Sequence, residues 1–229
     1  MQDSENTIER DIEKEMELSD ESERSNMTKK LALATIFAAL SIAITPIASM
    51  IPRIPLWGIA LFDPVSLFWI IAFLLGGGWV GLVTMSAGAV ALNFFDPTPI
   101  IGPLLKFVAT LPLVVIPWLG VRSSLNGGTR APISKIPILG RKLNPEMSEG
   151  DRLSKLPVYL SLMIPAFLLR LVLMIPLNLV IVPILWGLDD VAFIIGYTLV
   201  LNSLQTIFDV VVPYVTVYPT KIFKHFKLW

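Results

Sequence analysis

The order of apolar and polar positions divides the chain into a short polar start and a long series of apolar stretches. A helix needs about 20 mainly apolar residues to cross the hydrocarbon core of a bilayer. Gly- and Pro-rich connections separate the stretches that approach this length. These stretches cover residues 31–51, 57–76, 79–95, 100–120, 157–186 and 190–218. The pattern predicts an all-α membrane protein with six transmembrane helices; five or seven spans are the neighbouring alternatives.

The polar start is strongly acidic. Residues 1–28 contain ten Asp or Glu against three Lys or Arg, with few apolar residues and no aromatic one. Such a segment buries too little apolar surface to order itself, which predicts a disordered or marginally helical cytosolic tail. It also lacks the basic region and short apolar core of a signal peptide. The membrane domain is predicted to follow at residues 29–220.

Basic residues are concentrated on one side of the predicted bundle. With six spans, the N-terminal flank, the polar loop 121–156 and the basic C-terminus 221–229 share a side. That side carries Lys29 and Lys30, seven Lys or Arg in the loop, and three lysines in the C-terminus. Arg53 is the only clear basic residue on the opposite side. Because cytosolic loops are enriched in Lys and Arg, both termini are predicted to be cytosolic in a multi-pass protein of the cell membrane.

The composition argues against several classes of chemistry. The 229 residues include no cysteine and one histidine, His225, which excludes disulfides and thiolate sites and argues against a zinc or haem centre. No Ser-His-Asp set and no phosphate-binding G-x-x-x-x-G-K-[ST] motif occurs. The glycines of GGGWVG at 76–81 follow a membrane span, so they indicate a tight turn. We therefore expect no enzyme activity, no metal, no cofactor and no nucleic-acid partner.

Polar side chains inside the last two spans are candidates for function, because amide and ionisable groups are costly in a bilayer. Asn202, Gln205 and Asp209 are spaced i, i+3 and i+7, which puts them on one face of a helix. Asn178 lies in the preceding antiparallel span, at a comparable distance from the connecting loop. We expect Asn178, Asn202 and Gln205 to form an outward-open substrate pocket. The alternative is that they are interhelical hydrogen bonds alone.

The charged residues of the spans have two interpretations each. Arg170 and Asp209 are expected deeper in the membrane as a structural ion pair. A proton or ion relay is the alternative, and it needs a chain of titratable groups. Lys106 lies near the outer end of the fourth span, where it is expected either to extend its amine to the interface or to contact a ligand.

Small residues are frequent in the first span. Ala34 and Ala38 form one small-xxx-small pair, and Ala39 and Ala43 form another. Such pairs let a second helix approach closely, so this span is a candidate for docking onto a partner. The frequent use of alanine in membrane helices is the simpler explanation.

Five segments carry a family resemblance in a consistent order. The chain resembles the substrate-binding S components of energy-coupling factor (ECF) vitamin transporters over most of residues 29–220. The last two of the segments are closest to the riboflavin-specific branch. The segments are KKLALATIFAAL, FDPVSLFWIIAFLLGGGWVGLV, PLLKFVATLPL, LLRLVLMIPLNLVIVP and LNSLQTIFD.

The resemblance implies capture of a vitamin, with riboflavin expected, from outside the cell. It implies docking on a transmembrane T component that two ATP-hydrolysing subunits drive, with Ala34 and Ala38 as the docking contact. Asn178 and Asn202 match asparagines that surround the flavin in the riboflavin branch. Gln205 departs from the branch, since it stands where a lysine is usual.

Flavin chemistry is compatible with these residues. The pyrimidine edge of a flavin alternates acceptor, donor and acceptor groups, which a carboxamide can match. Trp57 and Phe62 are candidates for the apolar wall of the pocket. For Trp57, an anchoring role at the membrane interface is the alternative.

Other classes of function compete with an S component. A stand-alone secondary transporter for a small neutral solute would require internal repeats and a coupling-ion site. A membrane scaffold without a ligand is a third possibility. A membrane enzyme comes last, because catalytic residues are lacking.

Overall fold

A computed structural model describes residues 2–50, 53–54, 59–60, 63–96, 98–125, 147–226 and 228–229. For residues 2–20, 49–50, 53–54, 59–60 and 124–125 the description covers the backbone alone. The elements are α1 (Gln2–Met50), β1 (Arg53–Ile54), β2 (Ile59–Ala60), α2 (Pro64–Gly76), α3 (Gly78–Leu92), α4 (Ile101–Leu125), α5 (Glu149–Leu153), α6 (Leu156–Trp186), α7 (Val191–Val217) and α8 (Ile222–Phe226). The two short strands pair antiparallel, with Arg53 opposite Ala60.

Four of the described helices are long and apolar enough to cross a membrane: α1 over Glu21–Ala48, α4 over Ile101–Ser123, α6 and α7. The all-α class predicted from the sequence is confirmed, and these four helices are candidate membrane spans. The second and third predicted spans, 57–76 and 79–95, contain shorter helices of 13 and 15 residues. At 1.5 Å per residue these helices are about 20 Å and 22 Å long, which is less than the roughly 30 Å of a hydrocarbon core.

Local signals at both ends set the short length of α2. Asp63 is the N-cap, and its Oδ1 accepts a hydrogen bond of 3.0 Å from the backbone N–H of Val65. Pro64 follows at the first helical position, where its missing N–H costs nothing. The helix ends at Gly77, whose φ of 90° is a conformation that favours glycine. Helix α3 starts at the next residue, so the two short helices form a tight hairpin.

Helix α2 lies at the centre of the bundle. Ten of its 13 residues are buried. It packs against α1, α3 and α7, while α4 packs against α3 and α6, and α6 packs against α7. A helix with neighbours on all sides has no polar face to present, which explains why its sequence is almost continuously apolar.

The C-terminal residues close one end of the bundle. Trp229 donates a hydrogen bond of 3.0 Å from Nε1 to the carbonyl of Leu74, and its ring lies 5.4 Å from that of Phe73. Phe223 of α8 is buried against Gly150 of α5. This end therefore has its own apolar packing beneath the α2–α3 turn.

At the opposite end, α6 and α7 form a long hairpin. Helix α6 ends at Gly187 in the left-handed conformation, and Asp190 caps α7 by accepting from the N–H of Phe193. Val182 and Ile194 form a small core that is separate from the main one. The polar stripe of α7 begins in the part of the helix that follows this small core.

Three predicted segments outside the spans have partial descriptions. The backbone of residues 2–28 is helical and continuous with the rest of α1; the sequence left disorder and marginal helicity open for this segment. In the polar loop 121–156, α4 continues to Leu125 and α5 occupies Glu149–Leu153, while residues 126–146 lie outside the described part of the chain. The C-terminal segment 221–229 contains α8.

Candidate functional site

The polar stripe of α7 converges on one guanidinium group. Arg170 of α6 donates hydrogen bonds from Nε to Asn202 Oδ1 at 3.0 Å, from Nη2 to Gln205 Oε1 at 3.0 Å, and from Nη1 to Asp209 Oδ2 at 2.7 Å. The side chains of Arg170 and Asp209 are only 3% and 5% exposed. The i, i+3, i+7 spacing on α7 thus matches the reach of a single arginine on the facing helix.

Asp209 uses both of its carboxylate oxygens within this network. Oδ2 pairs with Arg170, and Oδ1 accepts a hydrogen bond of 2.7 Å from the hydroxyl of Ser66 at the start of α2. Breaking such a buried pair by removing one partner typically costs about 3–5 kcal/mol, because the other charge is left uncompensated. The cluster therefore ties α2, α6 and α7 together through polar contacts in an otherwise apolar interior.

A second ion pair continues the network towards α4. The hydroxyl of Ser66 also lies 3.0 Å from the carbonyl oxygen of Asp63. The side chain of Asp63 caps α2 through Oδ1 and pairs through Oδ2 with Lys106 Nζ at 2.5 Å. Polar contacts thus run from Lys106 on α4, through the first turn of α2, to Asp209 on α7 and Arg170 on α6.

The two asparagines bond back to their own helices. Asn178 donates to the carbonyl of Met174 at 2.8 Å, and Asn202 donates to the carbonyl of Thr198 at 2.9 Å. Both asparagines are buried. The hydroxyl of Thr198 is also buried, and among the described residues it has no hydrogen-bond partner.

These contacts correct part of the sequence interpretation. The predicted ion pair between Arg170 and Asp209 is confirmed. The expected separation of Asn202 and Gln205 from that pair is wrong, because one arginine contacts all three residues of the α7 stripe. Sequence spacing places residues on one face of a helix, but it does not give the reach of a side chain on the neighbouring helix.

Other predicted site residues have different positions. Lys106 forms an ion pair with Asp63, so its amine is not a free group that extends to the membrane interface. Trp57 and Phe62, the predicted apolar wall, lie outside the described residues.

Ala34 and Ala38, the predicted docking contact, face the interior of the bundle and are 3% and 7% exposed. Ala34 belongs to the main core, and its carbonyl lies 3.4 Å from the hydroxyl of Thr84 on α3. A partner helix therefore has no access to this pair in the present structure. The second small pair, Ala39 and Ala43, is exposed.

Sequence reasoning missed Ser66 and Thr198. The sequence DPVS at 63–66 contained a signal for Ser66, since it reads as a helix start with a hydroxyl in the first turn of an apolar segment. Thr198 lies one turn before Asn202 on α7. It extends the polar stripe by one position towards the N-terminus of the helix.

Comparisons with known proteins gave no relative for this chain: no family model, no curated protein and no solved structure matches it.

Proposed function

We propose that this chain is the substrate-capture subunit of an ATP-driven ECF vitamin importer, with riboflavin as the substrate. In this proposal the shorter helices α2 and α3 complete a six-span bundle with both termini in the cytosol. The one-sided distribution of Lys and Arg supports this orientation. The proposal includes capture of the vitamin at the outer side and docking on a T component with two ATPase subunits.

The observation that carries the proposal is the polar cluster between apolar helices, formed by the buried Ser66, Arg170, Asn202 and Asp209 with the half-buried Gln205. Polar groups at such a position are costly in a membrane and commonly mark a substrate pathway or binding site. Pockets for small ligands are mainly apolar with a few placed polar groups, and the cluster likewise places a few polar side chains among apolar helices. The protein interior therefore has suitable chemistry for an uncharged, amphipathic ligand.

The amide groups retain capacity for a ligand. A carboxamide has two N–H hydrogens and two acceptor lone pairs. Asn178 donates one of its hydrogens to Met174, and Asn202 donates one of its hydrogens to Thr198. The buried hydroxyl of Thr198 lies next to this bond on the same helix. A flavin edge with alternating acceptors and donors would bond to these groups.

Docking on the T component is proposed for the exposed face of α1. Ala39 and Ala43 are the exposed small pair, whereas Ala34 and Ala38 pack inside the bundle. Small residues on a lipid-facing surface allow close approach of a second helix. The docking contact implied by the resemblance is thus moved to the other side of the same helix.

A direct binding assay tests whether riboflavin is the substrate. Purified full-length protein in detergent is titrated into riboflavin, and we expect saturable quenching of flavin fluorescence at one equivalent. A matched titration with lumichrome, which lacks the ribityl chain, reports whether the ring alone is recognised. Absence of binding to any flavin would overturn the riboflavin assignment.

A stand-alone secondary transporter is the second candidate, and a specific observation favours it. Two ion pairs, Lys106 with Asp63 and Arg170 with Asp209, are linked through Ser66. A proton or ion relay requires a chain of titratable groups, and Lys106, Asp63 and Asp209 would be its titratable members. Uptake by the chain alone in proteoliposomes, abolished by a protonophore, would favour this candidate over an ATP-driven importer.

A further inference from the structure

A second polar region lies where α7 ends and the chain turns into α8. A cavity of about 290 Å³ opens there, lined by Asp151, Ser154, Tyr214, Tyr218, Pro219, Phe223 and Lys224. Pockets for small molecules are typically about 300–1,000 Å³. The cavity is therefore sized for a small chemical group, and none of its residues belongs to the Arg170 cluster.

Aromatic rings form one wall of this cavity. The rings of Tyr214 and Tyr218 lie 5.1 Å apart, and those of Tyr218 and Phe223 lie 5.4 Å apart, both tilted. The faces of such rings attract ammonium groups. An aromatic wall beside a carboxylate is thus a suitable environment for a cationic amine.

Opposite charges face the cavity without pairing with each other. Asp151 and Lys224 both line it, both are exposed, and no ion pair joins these two described side chains. Asp151 accepts one hydrogen bond of 2.9 Å from the hydroxyl of Ser148 and has lone pairs left for a ligand. The cavity therefore presents a negative group and a positive group to the same occupant.

The hydroxyl of Tyr218 is a donor in need of an acceptor. Its oxygen is buried and has no hydrogen-bond partner among the described residues. Burial raises the pKa of Tyr218 well above its ordinary value, so the hydroxyl keeps its proton. An unsatisfied buried polar group destabilises the fold, and a bound acceptor would remove that cost.

The position of the cavity at the end of a span-length helix indicates the source of its ligand. Tyrosines concentrate at the boundary between membrane and water, at the level of lipid headgroups. We propose that this cavity binds the headgroup of a phospholipid that carries both a phosphate and an ammonium group, such as phosphatidylethanolamine. The phosphate contacts Lys224 and the hydroxyl of Tyr218, and the ammonium contacts Asp151 and the aromatic rings. This site is independent of the proposed substrate.

Native mass spectrometry of the full-length protein tests the proposal. The protein is incubated in detergent with equal amounts of phosphatidylethanolamine and phosphatidylglycerol, the second of which lacks an ammonium group. We expect phosphatidylethanolamine to be retained about fivefold more, because one charge contact at a membrane surface contributes about 1 kcal/mol. Soluble phosphoethanolamine is added in a third arm as a competitor.

Matched variants localise the binding. Asp151→Asn removes the carboxylate that contacts the ammonium and should bring the retention ratio close to one. Lys224→Gln removes the phosphate contact that both lipids share, so it should lower the retention of both and leave their ratio near fivefold. Glu149→Gln and Lys155→Gln remove the same charges at positions that do not line the cavity, and should leave both the ratio and the amount of lipid retained unchanged. Tyr218→Phe keeps the ring and removes the hydroxyl, which should weaken retention about three- to tenfold. Circular dichroism checks that each variant is folded.

Three results would overturn the proposal. Equal retention of both lipids would show that the ammonium is not recognised. Cavity variants that behave like the two controls would show that the lipid binds elsewhere. Displacement by phosphoethanolamine at concentrations comparable to those of the lipid would assign the cavity to a soluble compound.

Discussion

At the scale of single residues, Arg170 explains the spacing of the polar residues on α7. Three of its N–H groups are used on Asn202, Gln205 and Asp209, and a planar guanidinium is suited to such simultaneous contacts. A lysine at this position would offer one point charge and could not hold the three acceptors in the same plane. The i, i+3, i+7 spacing on α7 therefore suits an arginine at position 170 better than a lysine.

The ion pair within this arrangement makes a testable contribution to stability. Asp209→Asn should lower the free energy of unfolding by about 3–5 kcal/mol, because it leaves the buried Arg170 uncompensated. The double variant Arg170→Gln with Asp209→Asn should lose less than the sum of the single variants, since no lone charge remains. Thermal unfolding in detergent measures both.

Asp189→Asn is the control for this experiment, because Asp189 is an exposed carboxylate and its loss should change the unfolding temperature little. Fully additive losses in the double variant would contradict the coupling between Arg170 and Asp209.

Substrate contact is tested at Asn202. If the chain binds riboflavin as proposed, Asn202→Leu should weaken binding about tenfold, which corresponds to about 1.4 kcal/mol and the loss of one or two hydrogen bonds. Fluorescence quenching measures the affinity. Ser203→Ala, which removes a hydroxyl bonded to the α7 backbone, is the neighbouring control. Unchanged affinity with a lowered unfolding temperature would leave Asn202 as a structural residue only.

At the scale of elements, close packing of α3 against α2 depends on a glycine. A Cβ added at Gly88 would lie 2.4 Å from Trp69 Nε1 and 3.0 Å from Ser41 Oγ. Trp69 is fully buried, so its ring has little room to move. Three helices, α1, α2 and α3, thus meet at a position where only a hydrogen atom fits.

Gly88→Ala should therefore destabilise the protein by about 1–3 kcal/mol through overpacking. Gly196→Ala on α7 is the matched control, because a Cβ there meets nothing within 4 Å. The control should leave the unfolding temperature unchanged or raise it, since alanine is the better helix former. A loss of equal size in both variants would assign the effect to helix propensity and contradict the packing argument.

The two faces of α1 should respond differently to bulky residues. Ala34→Leu and Ala38→Leu insert volume into the core and should reduce folding and riboflavin binding together. If the chain docks on a T component as proposed, Ala39→Leu and Ala43→Leu on the exposed face should preserve binding while preventing that association. Co-purification with that component and a binding titration separate the two outcomes. Normal association of the Ala39 and Ala43 variants would contradict docking through this face.

At the scale of the whole molecule, the proposed role divides binding from transport. The isolated chain should bind riboflavin, whereas uptake into proteoliposomes should require the T component, both ATPase subunits and ATP. The assay compares vesicles with the chain alone and vesicles with the full set of subunits. Uptake that proceeds without ATP hydrolysis would contradict the importer and favour the secondary transporter.

Whole-molecule features differ in how far they could be predicted. The apolar stretches predicted the helical class, because a bilayer leaves the backbone of a spanning segment few ways to satisfy its hydrogen bonds, and four of the described helices are long and apolar enough to span a membrane. Within the predicted spans 57–76 and 79–95 the helices have only 13 and 15 residues, and a crossing of the membrane by them stays a prediction. Apolarity alone does not distinguish a lipid-facing span from a short helix buried among others. The role of α2 as the central helix could not be read from its sequence alone.

The sequence by itself determined the helical class, the clustering of basic residues in a few polar segments, the absence of cysteine chemistry and the shared face of Asn202, Gln205 and Asp209. Its periodicity is local, so it reports which residues share a face of one helix. Only the tertiary structure decided that Arg170 joins the whole stripe and that Ser66 reaches Asp209 across 143 positions of the chain. Only the tertiary structure showed that Ala34 and Ala38 are buried whereas Ala39 and Ala43 are exposed. These outcomes depend on how helices pack against each other, which local spacing does not encode.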